Sequence, residues 1–367
     1  MDPIYILGAG RIGKFMATEL GESYPVRVVD SSPEQLERIS LPSYQIDVTD
    51  PLSLQSYLRS AGLVISAVPG AIGFKVLENI LQLGKPVIDI SFFPEDPFKL
   101  QDLAVNNDTT AVVDSGIAPG FSNMVAGFYE EKMSLQSLSC LVGGLPIKRT
   151  LPWQYKAPFS PDDVLEEYTR PVRIKEHGSI IKKEALSDYH LIETPELGTL
   201  EAFNTDGLRT LLHTLDIPNM REQTLRYPGH CEKLELLRDS GFFEKEKLEI
   251  GGQSISPREF SSKILSRAWQ LEKGEEECTY MRIDLEGTTV NRRFEVFDRY
   301  DREKEQTSMA RCTGHTCLAI AQLYLDGKIN EKGIVAPEML AKHSEHFKYV
   351  VDYLKKKQIK ITNQTLD

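Results

Sequence analysis

Two sets of residues in this chain have types and spacings suited to chemistry. The first is Gly8-Ala9-Gly10-Arg11-Ile12-Gly13, with Asp30 closing the next apolar run. Gly8 permits a tight turn, Gly10 lets backbone N–H groups approach a pyrophosphate, and Gly13 lets a helix lie close to a strand. The helix N-terminus then turns its partial positive charge toward phosphates. Asp30 can accept hydrogen bonds from the adenosine ribose and repel a 2′-phosphate, and Ser31 and Ser32 follow it where a cation would be needed to hold one. The spacing therefore points to NAD rather than NADP. Asp47-Val48 and Ala67-Val68-Pro69 end later apolar runs, where a nucleotide domain contacts the adenine and nicotinamide halves of its ligand.

The second set is dispersed. Asp114, Tyr155 and Lys156 are candidates for proton transfer, Lys156 only if desolvation or a nearby cation lowers its pKa. Arg226 and Arg311 could each hold a substrate carboxylate with a planar donor fork, or serve as structural ion pairs. His230 titrates near neutrality without tuning, and either contacts substrate or orders the Pro228-Gly229 turn. Glu201 and Asp206 could hold an ammonium, though Asp206, preceding Gly207 at an expected helix start, reads first as an N-cap, and neither is a catalytic candidate. Cys312, His315 and Cys317 suggest a metal, but no second Cys/His pair has suitable spacing, so no metal is expected.

These groups need a scaffold. Apolar runs at Ile4–Leu7, Val26–Val29, Tyr44–Val48, Leu63–Ala67, Val87–Ile90 and Thr110–Val113 alternate with amphipathic stretches, the pattern of a parallel sheet covered on both faces. From about 140 to 310, alternating runs such as Arg173–Ile181, Tyr280–Leu285 and Asn291–Phe297 are separated by helical patterns. The expected fold is α/β: a Rossmann-type doubly wound sheet over residues 1–120, and an α+β substrate and dimerisation domain with a largely antiparallel sheet over 121–310. Residues 311–367 read as mostly helical.

The chain has 367 residues, 26% charged and 41% hydrophobic, with a net charge of −11. Such a composition is globular, and its acidity disfavours nucleic acid and anionic membranes as partners. No apolar run approaches a membrane span. Five scattered cysteines suggest a reducing, cytoplasmic setting.

Asp114-Ser115-Gly116-Ile117-Ala118-Pro119-Gly120-Phe121-Ser122-Asn123 resembles a segment of the saccharopine dehydrogenase-like family. Leu145-Pro146, Tyr155-Lys156, Phe159-Ser160-Pro161, Glu167-Tyr168-Thr169, Asp206-Gly207-Leu208-Arg209, the run from Thr224 to His230 and the run from Gly333 to Glu338 follow in the family's order. The resemblance covers essentially the whole chain and is greatest to the lysine 6-dehydrogenase branch. It implies oxidative deamination of the ε-amine of L-lysine by NAD, giving a semialdehyde and ammonia. It also implies a homodimer and a C-terminal segment packed on the nucleotide domain. A saccharopine or carboxynorspermidine-type dehydrogenase acting on a secondary amine is the nearest alternative, and a silent NAD-binding sensor or scaffold a further one.

Overall fold

The computed structural model describes residues 2–157 and 161–366. The Phe159-Ser160 part of the family pattern lies outside them. Two compact units emerge: Met1–Ser134 with Arg209–Leu215 and Met309–Ile359, and Leu135–Leu208 with Asp216–Ser308 and Lys360–Asp367.

The first unit is built on strands β1 (Ile4–Leu7), β2 (Val26–Asp30), β3 (Ser43–Gln45), β4 (Leu63–Ser66), β5 (Val87–Asp89) and β6 (Thr110–Val112). They are parallel, in the order β6-β5-β4-β1-β2-β3. The order reverses between β1 and β4, and in doubly wound sheets ligands bind at that switch point, outside the carboxyl ends of the strands. β1 and β4 are buried at every position, as expected of central strands covered on both faces. Sequence periodicity missed a further strand, Gly333–Val335, which lies parallel to β6. Its two apolar residues are too few to carry a period.

Helix α1 (Arg11–Gly21) buries Gly13, Met16, Ala17 and Leu20 as one stripe, with Phe15 buried beside it. Its N-cap is Gly10, which supplies no side-chain bond. The first-turn N–H groups are therefore not capped by a side chain, unlike those of the helix Pro51–Leu58, where the Asp50 carboxylate accepts from Leu52 and Ser53.

In the second unit, the long strand Leu135–Pro146 pairs in parallel with Asn219–Arg226 and antiparallel with Glu277–Gly287. Asn291–Arg299 and then Lys360–Leu366 extend one side, Gly198–Asn204 and His190–Thr194 the other, all antiparallel. The sheet is largely antiparallel, with one parallel pairing inside it. The run Arg173–Ile181, read as one alternating stretch, is a hairpin of Val172–Glu176 and Ser179–Lys183. Its turn residues His177 and Gly178 both have positive φ, 50° and 79°, the geometry of tight hairpin turns. The final strand joins this sheet, so only Met309–Ile359 of the C-terminal segment belongs to the nucleotide unit. Trp269, Tyr168, Phe203, Leu165, Leu234 and Leu265 form one core of the second unit.

Candidate functional site: a nucleotide cradle and two buried charge clusters

The Gly-rich loop leaves β1 and enters α1. Gly8 has φ +99°, and a side chain there would come within 2.5 Å of the Ala67 carbonyl. A Cβ at Gly13 would lie 1.9 Å from the Gly8 carbonyl. Both positions are closed to any side chain. At Gly10 a Cβ would meet nothing within 4 Å. Gly10 therefore borders open space above the helix N-terminus, the cradle a pyrophosphate needs.

Asp30 sits at the end of β2. Its Oδ2 accepts from the Ala9 N–H at 2.7 Å and its Oδ1 from the Ser32 N–H at 2.7 Å. One carboxylate thus ties the Gly-rich loop to the β2 turn, with lone pairs remaining for ribose hydroxyls. The Ser31 carbonyl accepts from Gln45 Nε2 at 3.2 Å. Asp47 is exposed and closes its turn by accepting from the N–H and hydroxyl of Thr49, while Val48 is buried. Ala67 donates to the Leu7 carbonyl at 2.8 Å, which sets β4's end against β1's. Val68 is buried and Pro69 precedes the helix Gly70–Gln82. Arg11 and Ile12 begin α1. These residues fit a dinucleotide.

Tyr155, Arg226 and His230 do come together, but inside the core of the second unit. Arg226 is 2% exposed. Its Nε donates to the Tyr168 hydroxyl at 3.0 Å, Nη1 to the Leu225 carbonyl at 2.9 Å, and Nη2 to Tyr155 at 3.3 Å and to Glu167. The guanidinium also stands 4.2 Å from the Tyr155 ring centre. Its fork is thus engaged by the protein, which favours the structural ion pair over a substrate clamp, and the pair lies within one unit.

His230 is buried. Its Nδ1 lies 3.3 Å from the Trp153 carbonyl and its Nε2 3.0 Å from the Tyr168 hydroxyl. A carbonyl only accepts, so Nδ1 carries the proton and Nε2 accepts from Tyr168. Burial first, and the Arg226 charge second, hold the ring's pKa down at about 3. The imidazole is neutral at pH 7 and opens the helix His230–Asp239, consistent with ordering the Pro-Gly turn. Burial raises the Tyr155 phenol above its ordinary value, which removes it as a phenolate near neutrality. Lys156 donates to the Gln270 carbonyl at 2.7 Å and pairs with Glu275 at 3.3 Å. Arg311 Nη2 donates to the Lys357 carbonyl at 2.8 Å. Glu201 receives the N–H groups of His230 and Cys231, and Asp206 binds the Arg173 backbone and guanidinium instead of capping a helix.

A second charge cluster, which sequence reasoning only touched through Asp114, occupies the first unit. Asp114 follows β6 with φ +52°. Its side chain has no exposed surface, and Oδ1 accepts from Arg209 Nε at 2.5 Å. Arg209 Nη1 is held by the Phe93 carbonyl, and the guanidinium lies 4.7 Å from the Phe93 ring centre. Asp89, at the end of β5, is also fully buried and accepts from Ser91 Oγ at 2.8 Å. Ser91 Oγ lies 3.4 Å from Ser66 Oγ, at the end of β4. Arg209 stood within a family pattern in the sequence, but its partner lies 95 positions away, beyond any local signal. Among the described residues no group of three His, Cys, Asp or Glu has metal-binding geometry, and all five cysteines are free and buried.

Comparison with known proteins bears on this arrangement. A family model of the saccharopine dehydrogenase C-terminal domain matches residues 116–359, and one of the saccharopine dehydrogenase NADP binding domain matches residues 4–112. The chain belongs to the saccharopine dehydrogenase family. It is 24% identical over 360 residues to the alpha-aminoadipic semialdehyde synthase of Arabidopsis thaliana, covering 91% of this chain and 33% of that one. It is 22% identical to the NADP(+), L-glutamate-forming saccharopine dehydrogenase of Schizosaccharomyces pombe, covering 88% of each. The chain thus spans a third of the first relative and most of the second. The solved apo structure of saccharopine dehydrogenase (L-Glu forming) from Saccharomyces cerevisiae superposes with a TM-score of 0.81 at 18% identity, over the whole of both chains. That likeness establishes the fold. No helix among the described residues is long and apolar enough to cross a membrane.

Proposed function

We propose that this family member is an NAD-dependent amino-acid dehydrogenase that oxidatively deaminates the ε-amine of L-lysine to the semialdehyde and releases ammonia. The observation that carries the cofactor choice is Asp30. Its carboxylate meets the loop that would cradle the pyrophosphate, and the next two residues are Ser31 and Ser32. Arg38, a cation further along, is paired with Glu34 at 2.6 Å. A 2′-phosphate brought to this corner meets a carboxylate and lacks a compensating cation in the turn.

In this reading Gly8, Gly10, Gly13, Arg11, Ile12, Asp30, Ser31, Asp47, Val48, Ala67, Val68 and Pro69 surround the nucleotide. When bound, a nicotinamide supplies a hydride acceptor. The chain's residues must orient the amine and receive its proton, because a protonated amine holds the lone pair that expels hydride. Asp114, fixed by Arg209, fits the orienting task. Tyr155, Arg226 and His230 act as a rigid block that shapes the second unit, Lys156 is tethered beside it, and Arg311 anchors its helix. Two copies form the working dimer.

A second reading is favoured by the relatives' names: a secondary amine such as saccharopine as substrate. The test is formation of reduced nicotinamide with NAD or NADP and, separately, L-lysine, saccharopine, carboxynorspermidine and ornithine. NAD turnover with lysine and stoichiometric ammonia is the expected result. Turnover with a secondary amine alone, or a preference for NADP, would replace this reading.

A further inference from the structure

Among the orphaned polar atoms of the first unit are Asp89 Oδ2, Asp114 Oδ2 and Arg209 Nη2. Each is buried and without a hydrogen-bond partner. A buried polar group left without a partner keeps its full desolvation penalty, and three in one cluster are rarely tolerated without a purpose. All three side chains are at least 97% buried. They stand at neighbouring places in the sheet, since Asp89 ends β5, Asp114 follows β6, and Arg209 is bonded to Asp114. This is the carboxyl edge of the strands, the side on which doubly wound sheets bind ligands.

The three atoms are two acceptors and one donor. Arg209 cannot turn to satisfy both carboxylates, because Nη1 is held by the Phe93 carbonyl and its face by the Phe93 ring. Arg209 offsets one negative charge, and Asp114 is the one it bonds. Asp89 has only neutral partners, the hydroxyls of Ser91 and Ser66 and the Ser91 backbone N–H. The cluster therefore holds one carboxyl group in excess of its cations. A ligand ammonium is the chemical class that answers two inward acceptors and that excess.

We propose that Asp89, together with Asp114, receives the amine of the substrate, and that Asp89 takes its proton. The step is a simple transfer: the ammonium N–H bond breaks, an O–H bond forms on Asp89 Oδ2, and a neutral amine and a neutral carboxylic acid result. This inference rests on the amine-dehydrogenase reading and supplies the proton acceptor that reading lacks. Other groups bearing on Asp89 are Asp114 and the Cys317 thiol, while Ser66 and Ser91 stabilise its ionised form. Burial, reinforced by Asp114, pushes the Asp89 carboxyl up to about 7, a range suited to exchanging a proton near neutrality.

The test is binding, read by calorimetry on the full chain with NADH present, using L-lysine and 6-hydroxynorleucine, in which a neutral hydroxyl replaces the ε-ammonium. Lysine affinity should fall by up to about tenfold per pH unit below about pH 7, because a proton and the ammonium compete for Asp89. Asp89→Asn should weaken lysine and flatten this limb, leaving the hydroxyl isostere unaffected. Ser91→Ala removes a donor to the ionised form, so it should move the limb to higher pH and guards against a misfolded Asp89 variant. A limb that persists in Asp89→Asn, a wild-type affinity flat with pH, or no lysine binding overturns the inference. If lysine binds with this limb but no reduced nicotinamide forms, the dehydrogenase reading fails and the amine site stands. If turnover survives Asp89→Asn unchanged, the amine site fails and the reading stands.

Discussion

Consider Asp89→Asn as a probe of folding rather than of binding. The substitution keeps the shape of the side chain and removes its charge. Asp89 has no exposed surface, and burial raises its pKa from an ordinary 3.8 to about 7. The folded value lies above the unfolded one, so the native state holds the proton more tightly. The associated stability is fully present below pH 3.8 and is lost as pH rises through about 7. A shift of about 3 units at about 1.4 kcal/mol each gives a total near 4 kcal/mol, of which about 3 falls between pH 5 and pH 8. Glu222, which burial holds up to about 8, adds its own dependence in the same direction. The informative quantity is therefore the difference between wild type and variant. Urea unfolding at about pH 5 and about pH 8 should show that difference moving by about 3 kcal/mol in favour of the variant on going to the higher pH. Curves that stay parallel between the two pH values would refute the claim that a buried, uncompensated carboxyl sits at the end of β5.

Further consequences can be checked one by one. Gly13→Ala places a methyl 1.9 Å from the Gly8 carbonyl and should abolish dinucleotide binding by fluorescence titration, whereas Gly10→Ala should fold normally and weaken binding only where the ligand approaches. Asp30→Ala removes the carboxylate from two N–H groups and should raise the Kd for NAD by about tenfold or more, the loss of about 1.5 kcal/mol in charge-assisted bonds; an unchanged Kd argues against ribose contact. Glu167→Gln leaves the buried Arg226 charge without its partner and should destabilise by about 3–5 kcal/mol, seen as a lower urea midpoint.

Much of the nucleotide unit was legible because its signals are local. Gly8, Gly10, Gly13 and Asp30 lie on one strand-turn-helix-strand unit, and the six apolar runs correspond to β1–β6 with shifted ends. The run Tyr44–Val48 shortens to Ser43–Gln45 because Asp47 bonds back to Thr49 and starts a turn, although Val48 remains buried. The dispersed residues were harder. Tyr155, Arg226 and His230 are polar or aromatic side chains with site-like chemistry, and nothing in the sequence shows that Glu167, Tyr168 and Trp153 consume their bonding capacity. The converse holds for Arg209 and Asp89. Their importance lies in donors and acceptors left unmatched, which only appear once strands distant in sequence are laid side by side. Within residues 207–215 the helix is confined to Leu211–Thr214, since Arg209 adopts φ +45° to reach Asp114.

The central claim is that this chain couples a nicotinamide nucleotide to the oxidation of a primary amine. It is tested most directly by incubating the purified protein with NAD and L-lysine, following the absorbance of reduced nicotinamide, and assaying ammonia in the same sample. The account predicts NADH and ammonia formed one for one, with NADP a poorer acceptor. NADH formed only from saccharopine or another secondary amine, or none from any amine despite tight NAD binding, would contradict it.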